Sequence, residues 1–334
     1  MTSPEIAYRR RLDPAEISAV QDLLRSVADT DGVTPVSEHV LLHLRHGGDW
    51  EAHSFLARLC ARTGAGPRSV DGLVGYAHLD MTDRIEGPSA ELAVHPAHRR
   101  LGIASALMDA LEAASERAGY GGRLRLWAHG RHPDAAVLAR ARGYVEERVL
   151  WQLRRSLLSA LPAPRLPAGV RLRAFRVGAD EQAWLAVNNR AFAGHPDQGG
   201  WTLAEIQIRE DEPWFDSAGF LLAEREADGA LLGFHWTKVH GDGANGGGRR
   251  GPELRGRHPH EPLGEVYVVG VDPAAQGKGL GPALTLAGLR YLRSRGLSQV
   301  MLYVDESNTA AVRTYDRLGF TRWDVDVRYR RSDR

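Results

Sequence analysis

Across 334 residues there is a single cysteine, Cys60, so neither an intrachain disulfide nor a cysteine-rich metal site can form. A lone thiol of this kind reads as a small buried apolar residue. The opening stretch MTSPEIAYRRRLDPAEIS lacks the apolar core of a secretory leader, and no run approaches the length needed to cross a bilayer. A cytoplasmic protein with no membrane partner is expected. Charge of one sign is missing too: 43 Lys and Arg face 42 Asp and Glu, a formal net charge of +1, which gives no reason to expect nucleic acid as a partner. His195, His235 and His240, like His129 and His132, fall into no ligand spacing with a carboxylate, so no metal is expected.

What remains is a globular composition, 43% apolar and 25% charged, in a chain long enough for two domains with their own cores. Periodicity predicts strands over 6–12, 54–59 and 73–79 and helices from Pro14 to about Thr30 and from Ser37 to about His46, with Asp13 and Ser37 as caps. A strand, a loop and a helix follow from Glu91, then a strand over 124–128, a helix over 134–141 and an extended stretch to Leu153. Three prolines in 156–169 mark a linker. The chain thus divides into a domain at 1–155, a linker at 156–169 and a domain at 170–334. The Gly/Pro/Arg-rich segment 242–262 has almost no large apolar residue and reads as an insertion between strands.

The second part repeats the first. LVGYAHL (73–79) matches LLGFHWT (231–237), LAVHPAHRRLGIASAL matches VGVDPAAQGKGLGPAL, and LWAHGRHPDAAVLARARGY matches LYVDESNTAAVRTYDRLGF without a gap. Three matched blocks in one order predict a duplication, two similar domains rather than one long sheet. The copies differ where chemistry would sit. Counting back from the strand–loop junction sets Glu265 opposite Pro88, and counting back from the Gly–aromatic pair sets Tyr315 opposite Ala139. Neither proline nor alanine transfers protons, so the second copy is the catalytic candidate.

Its centre is GEVYVVGVDPAAQGKGLG, residues 264–281, which reads as strand, anion-cradling loop and helix. Alternation puts Glu265, Tyr267 and Val269 on one face and Val266 and Val268 on the other unless a bulge intervenes. Gly277, Gly279 and Gly281 permit unusual backbone angles, and Gln276 and Lys278 add donors. Such a loop taken alone is equally an ordinary tight turn. Downstream, Val312, Tyr315 and Leu318 share a helix face, where Tyr315 is either a core residue or an acid.

The string Gln276-Gly277-Lys278-Gly279-Leu280-Gly281 resembles the pyrophosphate motif of the GCN5-related N-acetyltransferase superfamily, and Arg99-Arg100-Leu101-Gly102-Ile103-Ala104 resembles a first-copy version. The resemblance implies an α+β fold of two tandem domains, each a mixed, splayed sheet flanked by helices, with acetyl-CoA as co-substrate. It implies coenzyme A contacts at Val269, Gly270 and Val271, along Gln276, Gly277, Lys278, Gly279, Leu280, Gly281 and Pro282, and on the helix of Asn308, Thr309, Ala310, Ala311, Val312 and Arg313. In the first copy it implies Leu92, Ala93 and Val94 with Arg100, Leu101, Gly102, Ile103, Ala104 and Ser105, binding without turnover. Glu265 would be the base and Tyr315 the acid. DGVTPVSE at 31–38, NNRAFAGHPDQGGWT at 188–202 and GFHWTKVH at 233–240 resemble the tandem mycothiol-forming branch, whose acceptor is a cysteinyl-glucosaminyl-inositol. That implies substrate contacts at Glu38, Asp197, Lys238, Glu265 and Tyr303, in a monomer with substrate between the domains. Glu38 and Asp197 are equally readable as solvated surface charges.

Overall fold

The computed structural model describes residues 2–47, 52–63, 66–83, 86–121, 123–194, 200–240 and 262–332, without the side chains of 2 and 61–71. Asp197, His195 and all but the end of the expected insertion at 242–262 lie outside the described residues.

The first half runs β1 (Thr2–Arg9), α1 (Pro14–Asp31), α2 (Glu38–His46), β2 (Ala52–Thr63), β3 (Gly66–Asp80), β4 (Ser89–Val94), α3 (Ile103–Arg117), β5 (Arg125–Ala128), α4 (Pro133–Ala141) and β6 (Tyr144–Ser156). The second runs β7 (Val170–Ala174), α5 (Glu181–Ala191), α6 (Leu203–Glu210), β8 (Phe220–Arg225), β9 (Leu231–His240), β10 (Leu263–Val271), α7 (Leu280–Ser294), β11 (Gln299–Asp305), α8 (Thr309–Arg317) and β12 (Thr321–Arg331). Local chemistry sets the helix starts. Asp13 and Glu16 close a reciprocal capping box on α1, with Pro14 in the first turn, and Thr202 and Glu205 do the same for α6. Ser37 precedes α2 but its side chain makes no cap; its hydroxyl donates instead to Glu91 Oε1 at 2.6 Å.

The strands form one twelve-stranded sheet in the order β1-β2-β3-β4-β5-β12-β6-β11-β10-β9-β8-β7. The duplication is real, but the expectation of two separate sheets fails. The reason is an exchange of terminal strands: β12, from the end of the second half, pairs antiparallel with β5, while β6, from the end of the first, pairs antiparallel with β11. The two exchanged strands pair with each other at the centre. Each core therefore borrows a strand. Val325, Val327 and Tyr329 of β12 pack with Ile103, Leu107 and Leu111 of α3, and Leu153 of β6 packs with Leu289 and Leu292 of α7. Leu157 and Leu161 of the connecting segment are buried in the same second cluster.

Two parallel junctions open the sheet. β4 and β5 pair at Ser89–Arg125, Ala90–Leu126 and Glu91–Trp127 and then part; β10 and β11 pair at Gly264–Val300 and Glu265–Met301 and then part. On one face of the second half, α5 and α6 cover an aromatic cluster in which Trp184 meets Trp201, Phe220, Phe234 and Trp236 edge-on. On the other, α7 packs so closely that a Cβ on Gly288 would lie 2.1 Å from the His235 ring. His235, fully buried and held to about pKa 4 by that burial, donates Nδ1–H to the Leu284 carbonyl at 2.7 Å and is a packing residue.

Because the halves share strands, chemical unfolding is expected as one transition by tryptophan fluorescence and far-ultraviolet dichroism. Val327→Ala should lower stability by about 2 kcal/mol in that single transition. Two separated transitions, only one of them shifted, would contradict the exchange.

Candidate active site

After the last rung of β10, Asp272 accepts from Ala274 N–H at 3.0 Å and the chain makes a single 3-10 turn. Gly277 and Gly279 then take φ of 78° and 80°, left-handed angles that cost a residue with a Cβ about 1 kcal/mol or more. Gly279 caps α7 without a side-chain hydrogen bond, leaving the first-turn amides of Leu280 and Gly281 as donors toward an anion. Pro282 has no N–H to add. Gln276 turns back, its Nε2 donating to the Val271 carbonyl at 3.2 Å, whereas Lys278 is exposed. A groove of about 740 Å³ beside the loop is lined by Lys278, Leu280, Asp272 and Arg190.

The alternation expected along β10 is broken by a bulge. Val266 pairs with Thr237 and Val268 with Trp236, so Tyr267 is the extra residue. Tyr267 and Val268 both join the aromatic face, and Val266 and Val269 pack toward α7. Glu265 lies just before the bulge, 7% exposed, with Oε2 2.7 Å from His240 Nε2. The bulge also corrects the comparison of copies. Glu265 pairs with Lys238 and Met301; in the first half the residue with the corresponding partners, Asp80 and Arg125, is Ser89 rather than Pro88. Ser89 is no better a base.

On α8, Asn308 spends its side-chain oxygen on the helix, accepting from Ala311 N–H at 3.1 Å; Thr309, Ala310, Ala311, Val312 and Arg313 form its first turns. Tyr315 is 9% exposed and stands edge-on to Phe320 at 5.7 Å. Burial pushes its hydroxyl up to about 12, so it is protonated at neutral pH.

Glu38 crosses between halves. It pairs with Lys238, whose ammonium stands 4.5 Å from the Trp214 ring centroid and 5.3 Å from that of Tyr267. Burial opposes the Glu38 charge, but Lys238 outweighs it, with Arg209 and the Tyr267 hydroxyl adding, so the carboxyl titrates below its usual range. Arg209 Nε in turn donates to Tyr267 Oη at 2.7 Å. A second clasp ties the far end of α2 to the second half: Arg45 and His46 each lie 2.7 Å from the buried Glu212. Tyr303 is 42% exposed on the same sheet face, its hydroxyl accepting from Gln152 Nε2 at 2.9 Å. Its hydroxyl is raised by burial and then by Asp326 and Glu265. Of the expected substrate residues, Glu38 and Lys238 meet directly, Glu265 pairs with Lys238 along the ladder, and Asp197 is outside the described residues. Sequence reasoning missed His240, Arg209, Tyr267 and Gln152. Period two along β9, which puts Trp236, Lys238 and His240 on one face, was the available signal for the first.

A profile of the Acetyltransferase (GNAT) family matches residues 182–320, and one of a GNAT acetyltransferase domain matches 59–146. Among curated proteins, the mycothiol acetyltransferases of Streptosporangium roseum and Salinispora arenicola are 52% and 54% identical, covering 98% and 99% of this chain and 99% and 98% of their own. The chain belongs to the mycothiol acetyltransferase family of GNAT enzymes. Among solved structures, a tandem GNAT protein from the clavulanic acid biosynthesis pathway shares the fold, with a TM-score of 0.70 at 20% identity over 99% of this chain and 100% of that one. A GCN5-related N-acetyltransferase from Sphaerobacter thermophilus has a TM-score of 0.64 at 25% identity, covering 97% and 95%.

In this GNAT framework the first half keeps the loop geometry with different residues. Arg100 and Gly102 take φ of 64° and 80° where the second half has Gly277 and Gly279. Arg99 is tied to Asp31 by bonds of 2.9 and 2.6 Å, and Arg100 to Asp134 at 2.7 Å. Leu92, Ala93, Val94, Gly102, Ile103, Ala104 and Ser105 line a cavity of about 370 Å³, whereas Leu101 is exposed outside it. This cavity lies away from Glu265 and Tyr315. The groove beside the second-half loop is the larger of the two, and in the first half Ser89 and Ala139 occupy the positions of Glu265 and Tyr315. His129 forms the polar end of this cavity, 3.2 Å from Glu91 and 3.0 Å from Asp326 of the exchanged β12. Burial opposes its charge, but the two carboxylates outweigh it and raise the imidazole to about 10. Among the described residues no group of three or more His, Cys, Asp or Glu side chains is arranged to hold a metal, and no helix is long and apolar enough to cross a membrane. Cys60 is buried as expected on β2, but as a donor to Glu5 Oε2 at 2.9 Å rather than among purely apolar groups.

A raised folded-state pKa stabilises fully below the unfolded value and is lost as pH rises through the folded one. His129 should therefore contribute most below about pH 6.5, with the contribution declining toward pH 10. The gap in melting temperature between wild type and His129→Asn should narrow across that window. A constant gap would show an uncharged His129.

Proposed function

We propose that this chain transfers acetyl from acetyl-CoA to the cysteinyl amine of a cysteinyl-glucosaminyl-inositol in the cytoplasm, giving mycothiol and CoA. The observation that carries the reading is Glu265: a buried carboxylate at the last rung before β10 and β11 part, hydrogen-bonded to a half-exposed His240. The full-length similarity to mycothiol acetyltransferases supports the choice of acceptor.

The amine must lose a proton before it can attack the thioester. Glu265 takes that proton, directly or through a water, and His240 offers a route onward to solvent. Beyond Glu265, the edge of Val269, Gly270 and Val271 facing β11 has no ladder partner, so its amides are free to pair with the pantetheine arm and polarise the acetyl carbonyl. As the new C–N bond forms and the C–S bond breaks, Tyr315 donates its proton to the departing thiolate. The amides of Leu280 and Gly281, with Lys278, hold the pyrophosphate, while Gln276 braces the loop against Val271, and α8 flanks the cofactor from Asn308 onward. Glu38, Lys238, Tyr303 and Asp197 bind the amine or the hydroxyls of the acceptor, which lies between the halves. The first half binds acetyl-CoA in its cavity without turnover.

Glu265→Gln should lower kcat by about 10²-fold or more and Tyr315→Phe by a similar factor, with the KM for acetyl-CoA little changed. The double variant acetylating at the wild-type rate would end the one-site assignment. In a panel of the cysteinyl sugar, free cysteine, glucosamine and a peptide library, the cysteinyl sugar should have the highest kcat/KM; preference for a peptide would reverse the choice of acceptor.

A further inference from the structure

The central strands carry a row of polar side chains on one face, and the exchanged strands supply much of it, Gln152 and Arg154 of β6 beside Asp324 of β12. At the centre of that face β12 bulges: Arg322 pairs with Leu153 and Asp324 with Gln152, leaving Trp323 as the extra residue. Trp323 is 63% exposed, and its described ring contact is a cation, the Arg154 guanidinium 4.4 Å from the centroid. Arg154 Nε donates to Gln152 Oε1 at 3.0 Å, and Gln152 Nε2 donates to Tyr303 Oη at 2.9 Å. Gln152 is 7% exposed, so this chain of donors is fixed from below. A large indole held open at a bulge, with a guanidinium and a phenol anchored by one buried amide, is an arrangement for a ligand that has both an apolar ring face and many hydroxyls.

We propose that Trp323, Arg154 and Gln152, with Tyr303, form the subsite for the hydroxylated ring end of the acceptor, a glycosyl-cyclitol; this rests on the acceptor class proposed above. The C–H face of a saturated ring lies on the free side of the indole. The terminal NH₂ groups of Arg154 and the Tyr303 hydroxyl bond its vicinal oxygens. Glu265 on β10 and Trp323 on β12 are separated by three strand spacings, roughly 14 Å, which suits a cysteinyl amide carrying two rings. Because Gln152 and Arg154 belong to the first half of the chain, specificity for the rings is supplied by the exchanged strand to a site whose base lies in the second.

The test compares kcat/KM for the cysteinyl-glucosaminyl-inositol with that for cysteinamide, which has no rings, in the full-length enzyme. In wild type the ratio should be large. In Trp323→Ala it should fall about tenfold, chiefly through the KM of the ring-bearing acceptor, and Trp323→Phe should recover most of it. Arg154→Met, which keeps the stem and removes the donors, should lower the ratio as well. Trp323→Ala with the wild-type ratio would overturn the subsite and leave the proposed acceptor standing. A wild type without preference for the ring-bearing acceptor would overturn both.

Discussion

The antiparallel pairing of β6 with β12 is the contact on which the rest of the molecule depends. Each is the last strand of its own half, and each completes the sheet of the other. The apolar rows that result, Val325, Val327 and Tyr329 under α3 and Leu153 under α7, join the two cores through backbone ladders rather than a docked interface. Such a joint has no easy hinge, and it sets the polar faces of both halves side by side. Asp326 can therefore hold His129 in the first half, and Gln152 can hold Tyr303 in the second.

Within that frame the bulge at Tyr267 does the local work. By adding a residue to β10 it sends Val269 and Val271 toward α7 while Tyr267 joins the aromatic wall with Trp214 and Trp236. Glu265 stays at the last paired rung, where the ladder fixes its backbone and His240 Nε2 meets its carboxylate at 2.7 Å. A buried carboxylate left without a hydrogen-bond partner would cost several kcal/mol. Glu38 is handled in the same way by Lys238, and the Arg45–Glu212 clasp keeps α2 seated so that the pair can form.

Much of this was legible in the sequence because the signals were local. Asp13-Pro14, the three matched blocks and the glycines of the 277–281 loop report caps, repeats and left-handed angles, which neighbouring residues determine. Glu265 was found because a charge in an apolar alternating strand is conspicuous. The exchange was hidden because which β-strand pairs with which is a long-range matter: the repeat implied a strand after Phe320, but not that it would leave its own half. The bulge was hidden because Tyr267 and Val268 satisfy either register by composition, and only the position of Trp236 opposite Val268 decides. Ser37 read as a cap and became a ligand of Glu91, since a buried carboxylate 54 residues away outcompetes a surface amide. Residues such as Arg209 and Gln152 carry no motif; their meaning comes from the partners that tertiary structure brings to them.

We propose a single acid–base site, built at the junction of the halves, that receives the acceptor amine. A structure of the full chain with CoA and the cysteinyl-glucosaminyl-inositol tests it most directly. The amine should lie within about 3 Å of the Glu265 carboxylate, or one water away, with the sugar rings reaching toward the central strands. An amine seated instead in the first-half cavity beside Glu91 and His129 would contradict it.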